Sequence, residues 1–140
     1  FIQSELKKIN INLKIEITPP SILRQGKANG KYNFFRASWI ADYPNPENYF
    51  DLFYSKNKTP NGPNYTYFMN KKYDSVYDNL KDKKSNIEKS FEILENIIYD
   101  FSPIIPLYYD MSIRLIDNDI IGMSNNAINM LNLEEVEKLW

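Results

Sequence analysis

Ile11-Asn12-Leu13-Lys14-Ile15-Glu16-Ile17 alternates apolar and polar residues without a break, the period-two signature of a half-buried strand. Thr18-Pro19-Pro20-Ser21 stops that strand and opens a helix over roughly 20–28, with proline tolerated in its first turn. Asn29-Gly30 ends the helix in a left-handed cap. A second strand is expected over 32–39, from Tyr32 to Trp39, and the residues before Ile11 read as the end of a helix with Ile2, Leu6 and Ile9 on one face. Strand, helix and strand at this spacing predict a βαβ unit, with parallel strands joined by a right-handed crossover. The predicted class is therefore α/β.

The second strand runs into Trp39-Ile40-Ala41-Asp42-Tyr43-Pro44-Asn45-Pro46-Glu47-Asn48-Tyr49-Phe50. The two prolines lack an N–H and fix φ, so the chain has to leave the sheet where Asp42 sits. A carboxylate held at a strand end beside an indole is well placed to receive a positive group of a ligand. Aspartate is also favoured in such a turn on local grounds, and Trp39 also suits a core position closing the strand.

Beyond the turn, residues 47–54 read as a short helix or tight loop carrying Tyr49, Phe50 and Phe53. Residues 55–68 form a long polar loop. Two helices come next. The first shows an apolar stripe of Tyr73, Val76, Tyr77 and Leu80; the second shows Ile87, Phe91, Leu94, Ile98 and Phe101. Ser85 and Glu88 have the spacing of a capping box, and Ser102-Pro103 stops the second helix. The stretch 104–123 is read as β-rich and hairpin-like, ending at Gly122, and 127–140 as a terminal strand followed by a helix.

Composition removes several chemistries. The 140 residues hold no cysteine and no histidine, which excludes thiolate catalysis, disulfides, Cys/His zinc sites and a Ser-His-Asp triad. Absence of cysteine leaves the redox compartment open. The 17 basic and 18 acidic residues leave a formal charge of −1, so no net field draws the chain to nucleic acid. No apolar run is long enough to span a membrane. No Asp-rich calcium loop and no cofactor motif is present, so no metal and no cofactor is expected. Paired carboxylates could exist among Asp42, Glu47 and Asp51, but their spacing reads as turn plus short helix, with no nucleophile and base at hand. The expectation is a protein that is not an enzyme.

The run from Trp39 to Phe50 resembles the signature region of bacterial extracellular solute-binding proteins of family 5, the dipeptide and oligopeptide receptors of ABC importers. Asn64-Tyr65 and Tyr73-Asp74 are similar to the segment after that signature. Phe91-Glu92-Ile93-Leu94-Glu95, followed by Pro103-Ile104-Ile105-Pro106-Leu107-Tyr108-Tyr109, is similar to the family's late helix and strand. The likeness runs from about residue 3 to about residue 133.

The resemblance implies a periplasmic-binding-protein-like (type II) lobe with a mixed sheet, the C-terminal fragment of a two-lobe protein. Residues 1–103 would belong to the C-terminal lobe, and 104–140 would form a β-rich tail returning toward an N-terminal lobe outside this chain. The implied function is that of the substrate-binding component of an ABC importer, which traps an extended peptide between its lobes. The partners are then a peptide ligand, a permease at the cytoplasmic membrane and the missing lobe. The implied location is periplasmic or cell-envelope, with lipid anchoring through an N-terminal region beyond Phe1.

By the same resemblance, Asp42 pairs with the peptide's α-amino group, Arg36 can face its carboxylate end, and Lys27 stands where some members carry another cation. Arg36 and Lys27 also suit plain solvated positions. Trp39 supplies an apolar wall, and the stretch 36–42, with Ile40 and Ala41 in it, is the natural edge for main-chain pairing with a peptide. Ile40 falls at a position that varies in the family, and the loop 55–68 departs from it in length and residues. A non-peptide solute, such as a metal chelate or a sugar, is the alternative ligand; a pure interaction module and a hydrolase are the contrasting classes.

Overall fold

The computed structural model describes residues 1–82, 86–126 and 128–139. The chain divides into two compact units, Phe1–Phe35 and Arg36–Trp140.

In the first unit, helix α1 (Ile2–Lys8) carries an ion pair between Lys8 and Glu5 at 2.7 Å, and Gln3 Nε2 donates to the Leu13 carbonyl at 2.7 Å. Helix α2 (Pro20–Ala28) starts on proline as expected. Both helices end in the same way. Asn10 (φ 60°) and Gly30 (φ 62°) take the left-handed conformation. The Ile11 and Lys31 N–H groups then reach back to the Leu6 and Gly26 carbonyls, at 3.0 and 2.8 Å. This is the Schellman arrangement, which satisfies carbonyls that a helix end would otherwise leave open. A Cβ at Gly26 would come within 2.2 Å of the Tyr32 ring.

The expected βαβ sheet does not form among the described residues. Residues 11–19 and 31–41 enter no ladder among the described residues. Ile11, Ile15 and Ile17 are 48%, 59% and 95% exposed, so the alternating face covers nothing here. The physical reason is that alternation states which side chains can be buried, whereas a strand also needs partners for its N–H and C=O groups. A crossover rule fixes hand, not adjacency, and supplies no neighbouring strand by itself.

The second unit is built on an aromatic core. Helix α3 (Glu47–Phe50) runs directly into a 3₁₀ turn, Asp51–Phe53, and a second 3₁₀ turn covers Ser55–Asn57. Helices α4 (Lys71–Lys81) and α5 (Ile87–Phe101) pack against one another. Their predicted stripes meet: Tyr73, Tyr77 and Leu80 from α4 and Leu94 from α5 are buried together with Phe50, Phe53, Tyr54, Phe68 and Ile97. Phe50 stacks on Phe91 at 5.2 Å between centroids, and Phe68 meets Tyr73 and Phe101 edge-on at 5.6 and 5.8 Å. Aromatic pairs in these geometries add to what their buried area contributes.

The helix ends are capped. Asn70 Oδ1 accepts from the Lys72 and Tyr73 N–H groups at 2.9 and 3.0 Å. Asn86 Oδ1 accepts from the Lys89 N–H at 3.0 Å, so Asn86 is the observed N-cap of α5. The expected capping box rests on Ser85, which lies outside the described residues. At the other end Ser102 turns left-handed (φ 46°) before Pro103, as the sequence predicted a stop there.

The loop 55–68 is tied down by Asn64, which is fully buried. Its Nδ2 donates to the Tyr54 and Phe68 carbonyls at 3.1 and 2.9 Å, and its Oδ1 accepts from Thr66 Oγ1 at 3.0 Å. The tail differs from expectation. Residues 104–119 enter no ladder, and the strands among the described residues are β1 (Ile120–Ile121) and β2 (Glu137–Lys138), paired antiparallel. No helix follows in 128–139. Ile105, Leu107, Ile113 and Leu115 are all more than half exposed. As with 11–17, the apolar pattern marks side chains fit for burial without naming their cover. Gly122 does end the segment, at φ 80°, and a Cβ there would collide with the Glu135 carbonyl oxygen at 1.7 Å.

Candidate functional site

The site is set by the start of α3. Pro44 and Pro46 prevent the chain from continuing straight, and Asn45 Oδ1 accepts the Glu47 N–H at 2.9 Å, satisfying one of the open donors at the helix start. The helix then delivers Asn48, which is 3% exposed. Its side chain faces back toward the segment that precedes the turn. Asn48 Oδ1 accepts the Trp39 indole N–H at 2.7 Å and the Asp42 backbone N–H at 3.2 Å. Its Nδ2 approaches Asp42 Oδ2 at 3.4 Å, the long end of hydrogen bonding. Trp39 and Asp42 are thus brought together through a third residue.

The Asp42 side chain is exposed. Its carboxylate receives this one long contact, which leaves acceptor capacity on both oxygens. Trp39 is half-buried, with its single donor used by Asn48. Ala41 is half-buried and Ile40 is 75% exposed. The stretch 36–42 enters no ladder among the described residues, and its Asp42 N–H is taken by Asn48. Arg36 is exposed and its Nη2 donates to the Tyr108 hydroxyl at 2.7 Å, using one of five guanidinium donors. Beside the turn, a groove of about 360 Å³ is lined by Pro44, Ile128, Met130, Leu131, Asn132 and Glu134. Lys27 belongs to the first unit, where its Nζ lies 5.7 Å from the centre of the Phe35 ring.

The other two carboxylates of this region have different duties. Asp51 Oδ1 accepts from the Tyr77 hydroxyl at 2.6 Å, from Asn57 Nδ2 at 2.8 Å and from Lys81 Nζ at 3.4 Å. It is consumed in tying the 3₁₀ turn to α4. Glu47 begins α3, where its charge suits the positive end of a helix. Around the core, burial raises the Tyr73 and Tyr77 phenols well above the ordinary tyrosine value, and for Tyr77 the bond to Asp51 adds to it. Asp78 is lowered, first by the hydroxyl it accepts from Tyr54 and then by Lys56, whose Nζ sits 3.1 Å from its Oδ2. Among the described residues no group of His, Cys, Asp and Glu could hold a metal ion. No helix among them is long and apolar enough to cross a membrane.

Sequence reasoning singled out Trp39 and Asp42 and missed Asn48. The signal was there in principle. Asparagine is a poor choice inside a helix on local grounds, so one lodged between the turn and Tyr49-Phe50 calls for a partner elsewhere. Pattern alone did not say that the partner was six residues back.

Two likenesses to known proteins bear on this geometry. Residues 1–61 match the family model of bacterial extracellular solute-binding proteins, family 5 Middle, a span that includes Arg36, Trp39, Asp42 and Asn48. The chain is also 23% identical over 141 aligned positions to the dipeptide-binding protein DppE of Bacillus subtilis (strain 168). That alignment covers 98% of this chain and 25% of the relative, so the chain spans about a quarter of the length of the curated protein it matches.

Proposed function

We propose that this chain, whose residues 1–61 match the model of the bacterial extracellular solute-binding proteins of family 5, is part of the substrate-binding component of an ABC importer for peptides. In this reading Asp42 is the counter-ion of the peptide's α-ammonium group. The exposed carboxylate with acceptor capacity left on both oxygens carries the proposal. An α-ammonium has three donors and is strongly solvated. A carboxylate offers it a charge-assisted bond roughly twice as strong as a neutral one. Trp39 forms an apolar wall that reads no particular side chain, and the stretch 36–42, with Ile40 and Ala41, is where a peptide main chain would pair. Arg36 is the candidate for the ligand's carboxylate end, with Tyr108 orienting it. Lys27 is a further candidate cation.

Capture then means closing two lobes over the solute. Residues 1–103 are assigned to one lobe and 104–140 to a tail that returns toward the other, whose arrival would cover the exposed apolar side chains of 104–116. The complete receptor works outside the cytoplasmic membrane, anchored through a region beyond Phe1, and hands its peptide to a permease without turning it over. The Bacillus relative is named for binding dipeptides, which supports a peptide as cargo.

The test is calorimetry on the complete two-lobe receptor with an unmodified peptide and its N-acetylated form. Asp42→Ala is expected to weaken the unmodified peptide by about 2–5 kcal/mol, because truncation leaves the ligand's charge desolvated and unpaired. The acetylated form is expected to change little. Equal loss for both would remove Asp42 from this role.

A further inference from the structure

We propose that Asn48 is the positioning residue of the site: its single side-chain amide fixes the indole of Trp39 and both the backbone and the carboxylate of Asp42. This rests on the reading of Asp42 as an ammonium partner. It adds what sets that carboxylate's direction.

The amide has two acceptor sites and two donors. Both acceptor sites are used by N–H groups of the preceding segment, from Trp39 at 2.7 Å and from Asp42 at 3.2 Å. A donor faces Asp42 Oδ2 at 3.4 Å. Asn48 is buried while Asp42 is exposed. The buried group is therefore the fixed one, and the exposed carboxylate is steered by it. One oxygen is turned toward the amide, and the other is left for a ligand.

The chemistry selects asparagine among the obvious alternatives. Aspartate would keep both acceptances but set a second carboxylate against Asp42, with no hydrogen to offer it. Serine and alanine lack the reach or the groups. Glutamine adds a methylene at a position with almost no exposed surface. A ligand carrying an ammonium then meets a carboxylate already held in place and loses less freedom on binding, which is the general advantage of preorganisation.

The experiment combines an indole nitrogen–proton spectrum with ligand titration, both on the complete two-lobe receptor. The Trp39 indole resonance is assigned by Trp39→Phe. In Asn48→Ala it is expected to move upfield, and the preference for the unmodified over the N-acetylated peptide is expected to fall about tenfold. Asn48→Asp, which keeps the acceptor oxygen, is expected to leave the indole resonance downfield. It carries the spectroscopic arm if the alanine variant does not fold. An unmoved resonance in Asn48→Ala, or an upfield one in Asn48→Asp, overturns the assignment. So does a loss of affinity equal for both peptides, which a merely structural role would give. The spectrum needs no ligand. A failure of Asp42 as ammonium partner would show only in the titration, and is thereby told apart from a failure of Asn48 as its holder.

Discussion

Replacing Tyr77 by Phe removes one hydroxyl from the centre of the aromatic core and nothing else. Tyr77 is fully buried on α4, and its hydroxyl donates to Asp51 Oδ1 at 2.6 Å. That bond joins α4 to the 3₁₀ turn that directly follows α3, so it also seats the helix carrying Asn48. A hydrogen bond to a charged acceptor contributes about 1.5–3 kcal/mol. Asp51 would keep Asn57 Nδ2 at 2.8 Å and Lys81 Nζ at 3.4 Å, so the carboxylate is not orphaned. The expected loss is therefore at the lower end, about 2 kcal/mol. Tyr73→Phe is the natural comparison. Its hydroxyl donates to the neutral Phe50 carbonyl at 2.7 Å, and about 1 kcal/mol is expected. The two acceptors sit on adjacent residues, so the double variant is expected to depart from additivity. Urea unfolding measures all three, with the Tyr77 variant's midpoint lower by about 1 M for a slope of about 2 kcal/mol per M. A Tyr77→Phe stability within about 0.5 kcal/mol of wild type, the range of ordinary surface changes, would refute the claim that this hydroxyl ties the turn to α4.

Two further outcomes are expected. Tyr73 and Tyr77 have folded pKa values raised above the unfolded value, mainly by burial, so their contribution to stability is complete below about pH 10 and is lost as pH rises beyond it. Spectrophotometric titration of the 11 tyrosines should leave these two un-ionised until the chain unfolds; early ionisation of all 11 would contradict it. Asn64→Ala strips the Tyr54 and Phe68 carbonyls of their buried donor and is expected to cost about 2–4 kcal/mol, read as a lower thermal midpoint. A loss under about 0.5 kcal/mol would show that the loop does not depend on Asn64.

Helices α4 and α5 were legible because their apolar positions recur every three to four residues and the middle of each stripe is covered within the same chain. Tyr73, Tyr77, Leu80 and Leu94 are where the stripes put them. The stops at Gly30 and Gly122 were legible because glycine takes left-handed geometry locally, and the stop at Ser102 because Pro103 follows it. The strands over 11–17, 32–39 and 104–116 were over-read. A strand is completed by another strand, and no stretch among the described residues supplies one for these three. At the site, Asp42 and Trp39 were visible because prolines and aromatics announce themselves. Asn48 was not, since its importance lies in a contact back across the turn.

A structure of the complete two-lobe receptor holding an amine-bearing peptide puts the role of Asp42 to the hardest trial. The expected result is the ligand nitrogen at about 2.7–2.9 Å from an Asp42 oxygen, with Asn48 still bonded to the Trp39 indole. A bound peptide whose ammonium is held by another carboxylate, with Asp42 turned to solvent, would contradict it.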